Sequence, residues 1–262
     1  MRKIIYLTFL FLIVLSFTSY AQRWKRTRYE FIYGIGYTNV FGDIGGGAGN
    51  AGNILTSVKD FDIQTVRPSL NVGARFKLSE YISFKLNLVY GYISSNDKFS
   101  KDPERSLRNL SFSSPIFEQS FQTEFSVVKE RYGRRYTLAN IRGLKNLHIN
   151  TYLLAGIGGV YFNPKTKYDG IEIPQSSNNG QSELSSGATY PKYVLAIPVG
   201  IGFKYGINRK LSLGIEYGNR FVMSDYLDNH KQVYSKHNDS YMLMTFIVSY
   251  KLRTTRSGLP KF

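Results

Sequence analysis

The chain has 262 residues, no cysteine and a formal net charge of +16. The lack of cysteine excludes disulfides and thiolate chemistry. After the N-terminal segment, no stretch approaches the roughly 20 apolar residues that a transmembrane helix needs. So basic a chain would suit nucleic-acid binding, but its basic residues are spread over many segments and form no recognisable nucleic-acid motif. Together with the export signal described next, this predicts that nucleic acid is not a partner.

The first residues have the organisation of a signal peptide. Arg2 and Lys3 give a charged start, residues 4–17 are an apolar run, and small residues precede Ala21. We predict a cleaved signal over residues 1–21. Because the run is short for a bilayer span and no cysteine follows to accept a lipid, we expect an exported chain without lipidation. An uncleaved N-terminal anchor is the alternative.

Alternation between apolar and polar residues dominates the rest of the chain. In residues 66–76, every even position is apolar or proline, while the odd positions include Arg67 and Arg75. Side chains of a strand point alternately to opposite faces, so each set would line one face. Seven other segments share the pattern: residues 29–37, 82–92, 117–127, 149–162, 192–204, 211–218 and 241–252. One such segment fits a soluble sandwich as well as a membrane barrel, but eight of them behind an export signal favour the barrel.

Connection lengths predict the orientation of that barrel. Residues 77–80 and 207–210 are tight turns, whereas residues 38–65, 95–107, 163–189 and 222–239 are long and polar. Short turns of such barrels lie in the periplasm and long loops lie outside. We therefore predict an all-β, eight-stranded antiparallel transmembrane β-barrel with long extracellular loops, located in the outer membrane. It would occupy residues 22–252, with a basic C-terminal tail at residues 253–262.

The polar face of the strands carries charges of both signs. An eight-stranded barrel is narrow enough for side chains to fill its interior. Charges buried there must be paired, which predicts ion pairs in the lumen. A proton or substrate pathway is the alternative. The predicted pairing residues are Arg67, Arg75, Lys85, Glu118, Glu124, Glu216 and Arg220, and Lys192 and Lys204 also fall on this face.

Histidines are the obvious candidates for catalysis, and the chain has three, His148, His230 and His237. The last two share the final long loop with Asp225, Asp228 and Asp239, but no metal-ligand spacing is present. We therefore expect no catalytic residue, no metal site and no cofactor. The alternative is a lipid-modifying enzyme or protease at the barrel rim that uses His230 or His237.

Residues 129–148 form a long connection on the predicted periplasmic side. This segment contains several basic residues and a single acid, Glu130. A solvated charged face is the simpler interpretation. The other is a docking surface for an acidic periplasmic partner, since arginine binds carboxylates bidentately and is common at interfaces. The predicted docking residues are Arg131, Arg134, Arg135, Arg142 and Lys145.

Several short motifs follow one another along the chain. They are the segments at residues 41–44, 108–112, 152–158, 162–164, 198–205 and 224–228. In this order they resemble the PorG-like outer-membrane barrels of Bacteroidetes. The loop residues that carry the resemblance are Gly42, Asp43, Asp225, Tyr226 and Asp228. The chain departs from the pattern in its strongly basic connection at residues 129–148. It also departs at Asn229 and His230, where the resemblance implies a second acid.

The resemblance implies an outer-membrane component of the type IX protein secretion system. Such a barrel associates with a periplasmic ring built from a lipoprotein and its partner protein, and it has no enzymatic activity. The expected partners are these ring proteins and outer-membrane lipids. An orphan barrel that acts as an enzyme, or that binds a surface ligand or lipopolysaccharide, is the alternative.

Overall fold

A computed structural model describes residues 23–45, 63–100, 103–130, 149–177, 189–231, 238–255 and 259–261. Eleven strands and one short helix appear in these ranges. The long strands are β1 (Tyr29–Phe41), β2 (Arg67–Lys77), β3 (Ile82–Asn96), β4 (Leu110–Ser126), β5 (Ile149–Phe162), β8 (Tyr193–Gly206), β9 (Leu211–Val222) and β10 (Ser240–Thr254). The short elements are α1 (Pro103–Arg108), β6 (Lys165–Tyr168), β7 (Ile171–Ile173) and β11 (Pro260–Lys261), with 3₁₀ turns at Arg23–Thr27, Ile63–Thr65 and Asp97–Phe99.

The eight long strands close into a barrel. Each pairs antiparallel with its neighbours in the chain, and β5 pairs with β8 across the outer hairpin formed by β6 and β7. The first and last strands then join from Tyr29↔Leu252 to Phe41↔Ser240. Closure leaves no unpaired edge among the eight long strands, which is what a sheet in lipid requires. The predicted eight-stranded antiparallel barrel is confirmed.

The two faces of the strands have opposite character. Along β1, Tyr33 and Ile35 are 55% and 66% exposed, whereas Glu30 and Ile32 are 1% exposed. The same alternation makes an outward apolar belt on the other strands, with aromatic side chains such as Tyr90 near one end. An apolar outer band around a polar lumen is the arrangement of outer-membrane barrels. The protein is an integral outer-membrane β-barrel.

Helices contribute little to the fold. Among the residues that the structure describes, no helix has the length and apolar character to cross a bilayer.

The barrel extends further on its outer side than the alternation predicts. Strand β4 begins at Leu110, and its first residues pair with β6 from Leu110↔Tyr168 to Ser113↔Lys165. We expected a loop in the region of β6 and β7. Beyond the hydrocarbon core the outward face no longer meets lipid tails, so polar residues such as Ser111 and Ser113 interrupt the apolar pattern without ending the strand.

The interior is layered along the barrel axis. Charged and polar side chains fill the half next to the start of β1 and the end of β10, which is the periplasmic half by the rule of short turns. The outer half holds an apolar cluster, and its members are Val40, Ile44, Ile93, Leu110, Phe112, Ile116, Val160, Phe162, Tyr190, Val194, Ala196, Val222, Leu227 and Tyr241. Ile44, Tyr190 and Leu227 come from loops, so these loops fold over the outer mouth.

The predicted C-terminal tail lies partly, and the predicted signal peptide wholly, outside the described residues. Of the basic tail, Arg253 and Thr254 end β10 and pair with Lys261 and Pro260 of β11. The signal peptide at residues 1–21 lies outside the described residues.

Candidate functional site

Arg75 is the centre of an ion network in the periplasmic half of the lumen. Its Nη1 donates to Glu30 Oε2 at 2.8 Å, and its Nε lies 2.6 Å from Glu124 Oε2. Its Nη2 lies 3.4 Å from Glu216 Oε1, which also accepts a hydrogen bond of 2.6 Å from the hydroxyl of Tyr152. One guanidinium, 2% exposed, therefore joins β2 to β1, β4 and β9.

Two lysines extend this network around the wall. Lys85 Nζ lies 2.6 Å from Glu216 Oε2 and 3.6 Å from Glu124 Oε1. Lys204 Nζ lies 3.3 Å from Glu30 Oε2. Each carboxylate of the network meets cations from more than one strand, so the charges are paired although they are buried.

Glu130 completes the network at the periplasmic mouth of the barrel. It follows the end of β4 by a few residues, and its carboxylate turns back into the mouth of the barrel. Oε2 lies 2.5 Å from Lys77 Nζ and 3.5 Å from Lys204 Nζ, and Oε1 pairs with Lys251. Ser212 Oγ also donates to Oε1 at 3.3 Å. The carboxylate thus gathers groups from β2, β8, β9 and β10.

The charge balance around Glu130 determines its ionisation. Burial alone would favour the neutral acid, but the positive charges of Lys204 and Lys77 outweigh burial and hold the pKa of Glu130 well below its ordinary value. Glu130 is therefore an anion at neutral pH. The inner-mouth cluster is the set Glu30, Arg75, Lys77, Lys85, Glu124, Glu130, Lys204, Glu216 and Lys251.

A smaller polar group lies above this cluster. Arg220 Nε donates to Glu118 Oε2 at 3.2 Å, and the hydroxyl of Tyr241 donates to the same oxygen at 2.6 Å. Ser120 Oγ donates to Glu118 Oε1 at 2.9 Å. All four side chains are buried, so both oxygens of the carboxylate have partners.

The structure brings six of the seven predicted pairing residues into these two groups, together with Lys204. Arg67 does not join them: it is exposed, and its Nη1 donates to the carbonyl oxygens of Gln64 and Val66 at 3.3 and 3.0 Å. Lys192 is also exposed and donates to Asn163 at 2.8 Å. Both residues lie at the outer strand ends, beyond the polar lumen, so the alternation places them on the right face but at the wrong height.

At the outer mouth, the loop motif and the last loop bring buried carboxyl groups together. Asp228 Oδ2 accepts from the Ile44 backbone N–H at 3.0 Å, and Asp239 Oδ2 accepts from the Leu227 N–H at 2.9 Å. A Cβ on Gly42 would lie 2.9 Å from Asp239 Oδ1 and 3.0 Å from Asp228 Oδ2. Only glycine fits there without displacing the carboxyl groups.

These carboxyl groups favour their neutral forms. Burial raises the pKa of Asp228 to about 8, and the nearby Asp43 and Asp225 add to the shift. Burial, followed by the charge of Asp228, raises the pKa of Asp239 well above its ordinary value. The family loop residues Asp43, Asp225 and Asp228 are therefore parts of a buried cap.

Asp97 fastens a second part of this cap. It is fully buried, and Oδ1 accepts from the Gly45 N–H at 2.7 Å while Oδ2 accepts from Arg108 Nε at 2.8 Å. Arg108 Nη2 continues to the carbonyl of Asp43 at 2.7 Å. The outer-mouth cluster is the set Asp43, Asp97, Arg108, Asp225, Asp228, His230 and Asp239.

His230 belongs to this cluster and does not stand free at the rim. Its side chain is 9% exposed, and Nε2 lies 3.4 Å from Arg108 Nη1. Burial and the charge of Arg108 lower its pKa, so the ring is neutral at pH 7. Across the described residues, no three His, Asp or Glu side chains are placed to hold a metal ion. His148, His237 and the predicted docking residues from Arg131 to Lys145 lie outside those residues.

Sequence reasoning missed part of the inner-mouth cluster. Glu30 and Lys251 lie on the polar faces of their strands but were not among the predicted pairing residues, and Lys77 fell in a predicted turn. Glu130 belongs to no strand, so no alternation could place it in the lumen. Its isolation as the one acid among basic residues is the only signal in the sequence.

Several solved outer-membrane barrels are similar to this chain. The N-terminal β-barrel domain of Pseudomonas aeruginosa OprF is 8% identical, with 86% of this chain and 98% of that chain covered and a TM-score of 0.37. Neisserial surface protein A is 9% identical, with 85% and 96% covered and a TM-score of 0.41. Ail of Yersinia pestis is 8% identical, with 86% and 99% covered and a TM-score of 0.40. We draw no functional conclusion from such distant likenesses.

Sequence comparison gives a family but no function. No curated protein matches the chain. A family model described as a domain of unknown function, DUF6089, matches residues 5–248. Because this match spans most of the sequence, the protein belongs to the DUF6089 family.

Proposed function

We propose that this barrel is a non-enzymatic component of the type IX protein secretion system that anchors or organises a periplasmic ring complex. The resemblance of its motifs to PorG-like barrels supplies the class of partner, a ring lipoprotein and its partner protein. The outer-membrane barrel fold is the scaffold that such a role requires. The contact surface would be the long connection on the periplasmic side.

The position of Glu130 is the observation that supports this proposal most. Glu130 is the only acid in residues 129–148, and its charge is taken up by Lys77, Lys204 and Lys251 inside the barrel mouth. The sequence that follows therefore has no acid of its own to neutralise its basic residues. Arginines in a segment with no further acid of its own suit an acidic protein surface, where guanidinium groups bind carboxylates bidentately.

Glu130 also fixes where the connection begins. Its contacts with several strands hold the start of the segment against the periplasmic mouth. A segment fixed at its base loses less conformational freedom on binding than one that moves freely. This arrangement supports docking by the connection.

The filled lumen supports a role for the surfaces over a role for the interior. Arg75, Lys85, Lys251, Tyr152 and Tyr241 are among the largest fully buried side chains of the described residues. Paired charges fill one half of the barrel and apolar side chains fill the other. A barrel of this size filled by its own side chains is a poor conduit.

Affinity purification from outer membranes tests the proposal. Replacing Arg131, Arg134, Arg135 and Arg142 with Glu should abolish co-purification of the ring proteins while the barrel remains heat-modifiable on gels. The matched control is Arg209→Glu with Lys210→Glu, which reverses charge in the exposed β8–β9 turn on the same side. Ring proteins recovered at wild-type levels with the fourfold variant would refute docking by this connection.

A further test separates this proposal from an enzyme at the rim. Ala at both His230 and His237 should leave secretion and ring co-purification unchanged. Loss of a hydrolytic activity in that double variant, with assembly intact, would contradict the non-enzymatic role.

A further inference from the structure

A cleft on the outer rim is not explained by a role in the periplasm. It is a cavity of about 250 Å³ between the outer ends of β2, β3 and β4 and the outer hairpin. Its wall is mostly cationic side chains, hydroxyls and amides. The lining includes Arg67, Lys165 and Lys167, and the hydroxyls of Ser94, Ser111 and Ser113. We call it the outer-rim cleft.

Strand pairing puts the cationic and hydroxyl groups side by side. In one row across β3, β4 and β6, Asn96 pairs with Ser111, and Ser111 pairs with Lys167. In the next row on the same face, Ser94 pairs with Ser113, and Ser113 pairs with Lys165. Paired residues of adjacent antiparallel strands point to the same face. These six side chains therefore form two parallel rows on one face of the extended sheet, and Arg67, at the outer end of β2, lines the same cavity.

The three cations of the cleft lack carboxylate partners. Among the described residues, no ion pair includes Arg67, Lys165 or Lys167, in contrast to the cations of the lumen. Glu172 lies opposite Lys167 in the strand register, but it does not line the cavity. The cleft therefore presents a net positive charge.

Ser94 provides a second, independent sign of a missing ligand. It is 6% exposed, and its hydroxyl has no hydrogen-bond partner within the part of the chain that the structure describes. A buried hydroxyl without a partner is uncommon, because losing its bonds to water costs free energy. A ligand oxygen in the cleft would supply the acceptor or donor.

The level of the cleft relative to the membrane identifies the class of ligand. Its two rows are on the lipid-side face of the sheet, since Tyr90 and Tyr92 share that face of β3 with Ser94 and are 48% and 44% exposed. Aromatic residues of this kind mark the interface of the membrane. Ser94 is two residues beyond Tyr92, or about 7 Å at the rise of a strand. The cleft is thus at the height of the lipid headgroups.

We propose that the outer-rim cleft binds the phosphorylated sugar headgroup of an outer-leaflet glycolipid. Arg67, Lys165 and Lys167 would neutralise the phosphate, and Ser94, Ser111 and Ser113 would bind phosphate or sugar oxygens. Charge-assisted bonds to phosphate are the strong contacts in such a site. Because the site is on the opposite side of the membrane from the ring, this proposal stands or falls independently of the docking role.

The test is lipid binding by the full-length barrel in detergent, measured by native mass spectrometry as bisphosphoryl lipid A is titrated. The cleft variant replaces Arg67, Lys165 and Lys167 with Gln. Its matched control replaces Arg209, Lys210 and Lys261 with Gln, which removes the same charge from exposed positions at the other end of the barrel. Affinity should fall at least about tenfold in the cleft variant and stay unchanged in the control.

Two further arms define the ligand. Ser94→Ala should weaken binding several-fold without shifting the temperature of heat modification, while Lys165→Arg with Lys167→Arg should retain it. Glucose 1-phosphate should compete only weakly if the site requires the lipid. Strong competition would assign the same phosphate recognition to soluble sugar phosphates. Equal affinities of the cleft and control variants, or no measurable binding to the wild type, would overturn the proposal.

Discussion

The carboxylate of Glu130, outside any strand, lies 2.5 Å from the ammonium of Lys77 at the end of β2, and Lys77 also lies 2.5 Å from Glu30 of β1. A residue of the periplasmic connection thus completes an ion network that belongs to the barrel wall. The base of the connection and the stability of the lumen are therefore linked through one side chain.

Glu130→Gln should destabilise the barrel. The substitution leaves Lys77, Lys204 and Lys251 buried with one carboxylate fewer, and removing one member of a buried ion group costs about 3 kcal/mol. The free energy of unfolding, measured with urea in phospholipid vesicles, should fall by that order. The control is Glu80→Gln, which removes a partly exposed acid paired with Lys129 at 2.6 Å on the same side of the barrel. Equal losses for the two variants would contradict a structural role of Glu130.

Because Glu130 is an anion in the folded barrel, the barrel should become less stable as pH falls. The charges of Lys204 and Lys77, acting against burial, hold the pKa of Glu130 below that of the unfolded chain. Its stabilising effect is complete above the ordinary carboxyl pKa and is lost as pH falls through the lower, folded value. The free energy of unfolding should fall more between pH 7 and pH 3 for the wild type than for Glu130→Gln. Parallel pH profiles for the two proteins would count against this assignment.

Arg75→Met should cost more than any single carboxylate variant of the lumen. Methionine fills much of the volume but leaves Glu30, Glu124 and Glu216 facing one another without their shared guanidinium. We expect a loss of about 3–5 kcal/mol in the free energy of unfolding. Combining Arg75→Met with Glu124→Gln should recover part of it, with a coupling energy of about 1–3 kcal/mol. Strictly additive losses would show that the two side chains act independently.

Whether the sequence predicts a lumen residue depends on whether that residue lies in a strand or in a connection. Alternation identifies the face of Arg75 or Glu216 because each is inside a strand with lipid on its other side. It does not give height along the axis, which is why Arg67 has the right parity but an exposed position. It is silent for Glu130, because a side chain that enters the mouth from a connection follows no period. Alternation also does not predict the outer-mouth cluster, because its carboxyl groups come from separate loops, which have no strand period.

Asp97→Ala should loosen the outer cap while leaving the barrel closed. The Asp97 carboxylate joins the Gly45 N–H of one loop to Arg108 and the Leu110 N–H at the junction of α1 and β4. Without it, buried donors lose their acceptor, at about 1–3 kcal/mol for each group. Hydrogen exchange should rise at residues 43–45 and 109–110 and stay unchanged in β9. The control is Glu172→Ala at an exposed position of β7, and exchange that rises equally in that variant would refute the role of Asp97.

The cap should also open as pH rises, in the direction opposite to the inner mouth. Burial, with Asp43 and Asp225 nearby, raises the pKa of Asp228 to about 8, whereas the unfolded chain has an ordinary Asp value near 4. A group with a raised folded pKa contributes its full stability below the unfolded pKa and loses it as pH rises through the folded one. Exchange of the Ile44 amide, corrected for its intrinsic rate, should therefore increase at least about tenfold between pH 5 and pH 8.5.

Variants separate the groups that contribute to this pH dependence. His230 acts in the opposite sense, because burial and Arg108 lower its pKa and it stabilises the fold as pH rises past 6.5. Asp228→Asn should flatten the profile of the Ile44 amide, and Asp228→Asn with Asp239→Asn should flatten it further, since Asp239 titrates with Asp228. His230→Gln should leave the rise intact. A profile that is level in the wild type, or that disappears in His230→Gln, would show that the buried aspartates do not control the cap.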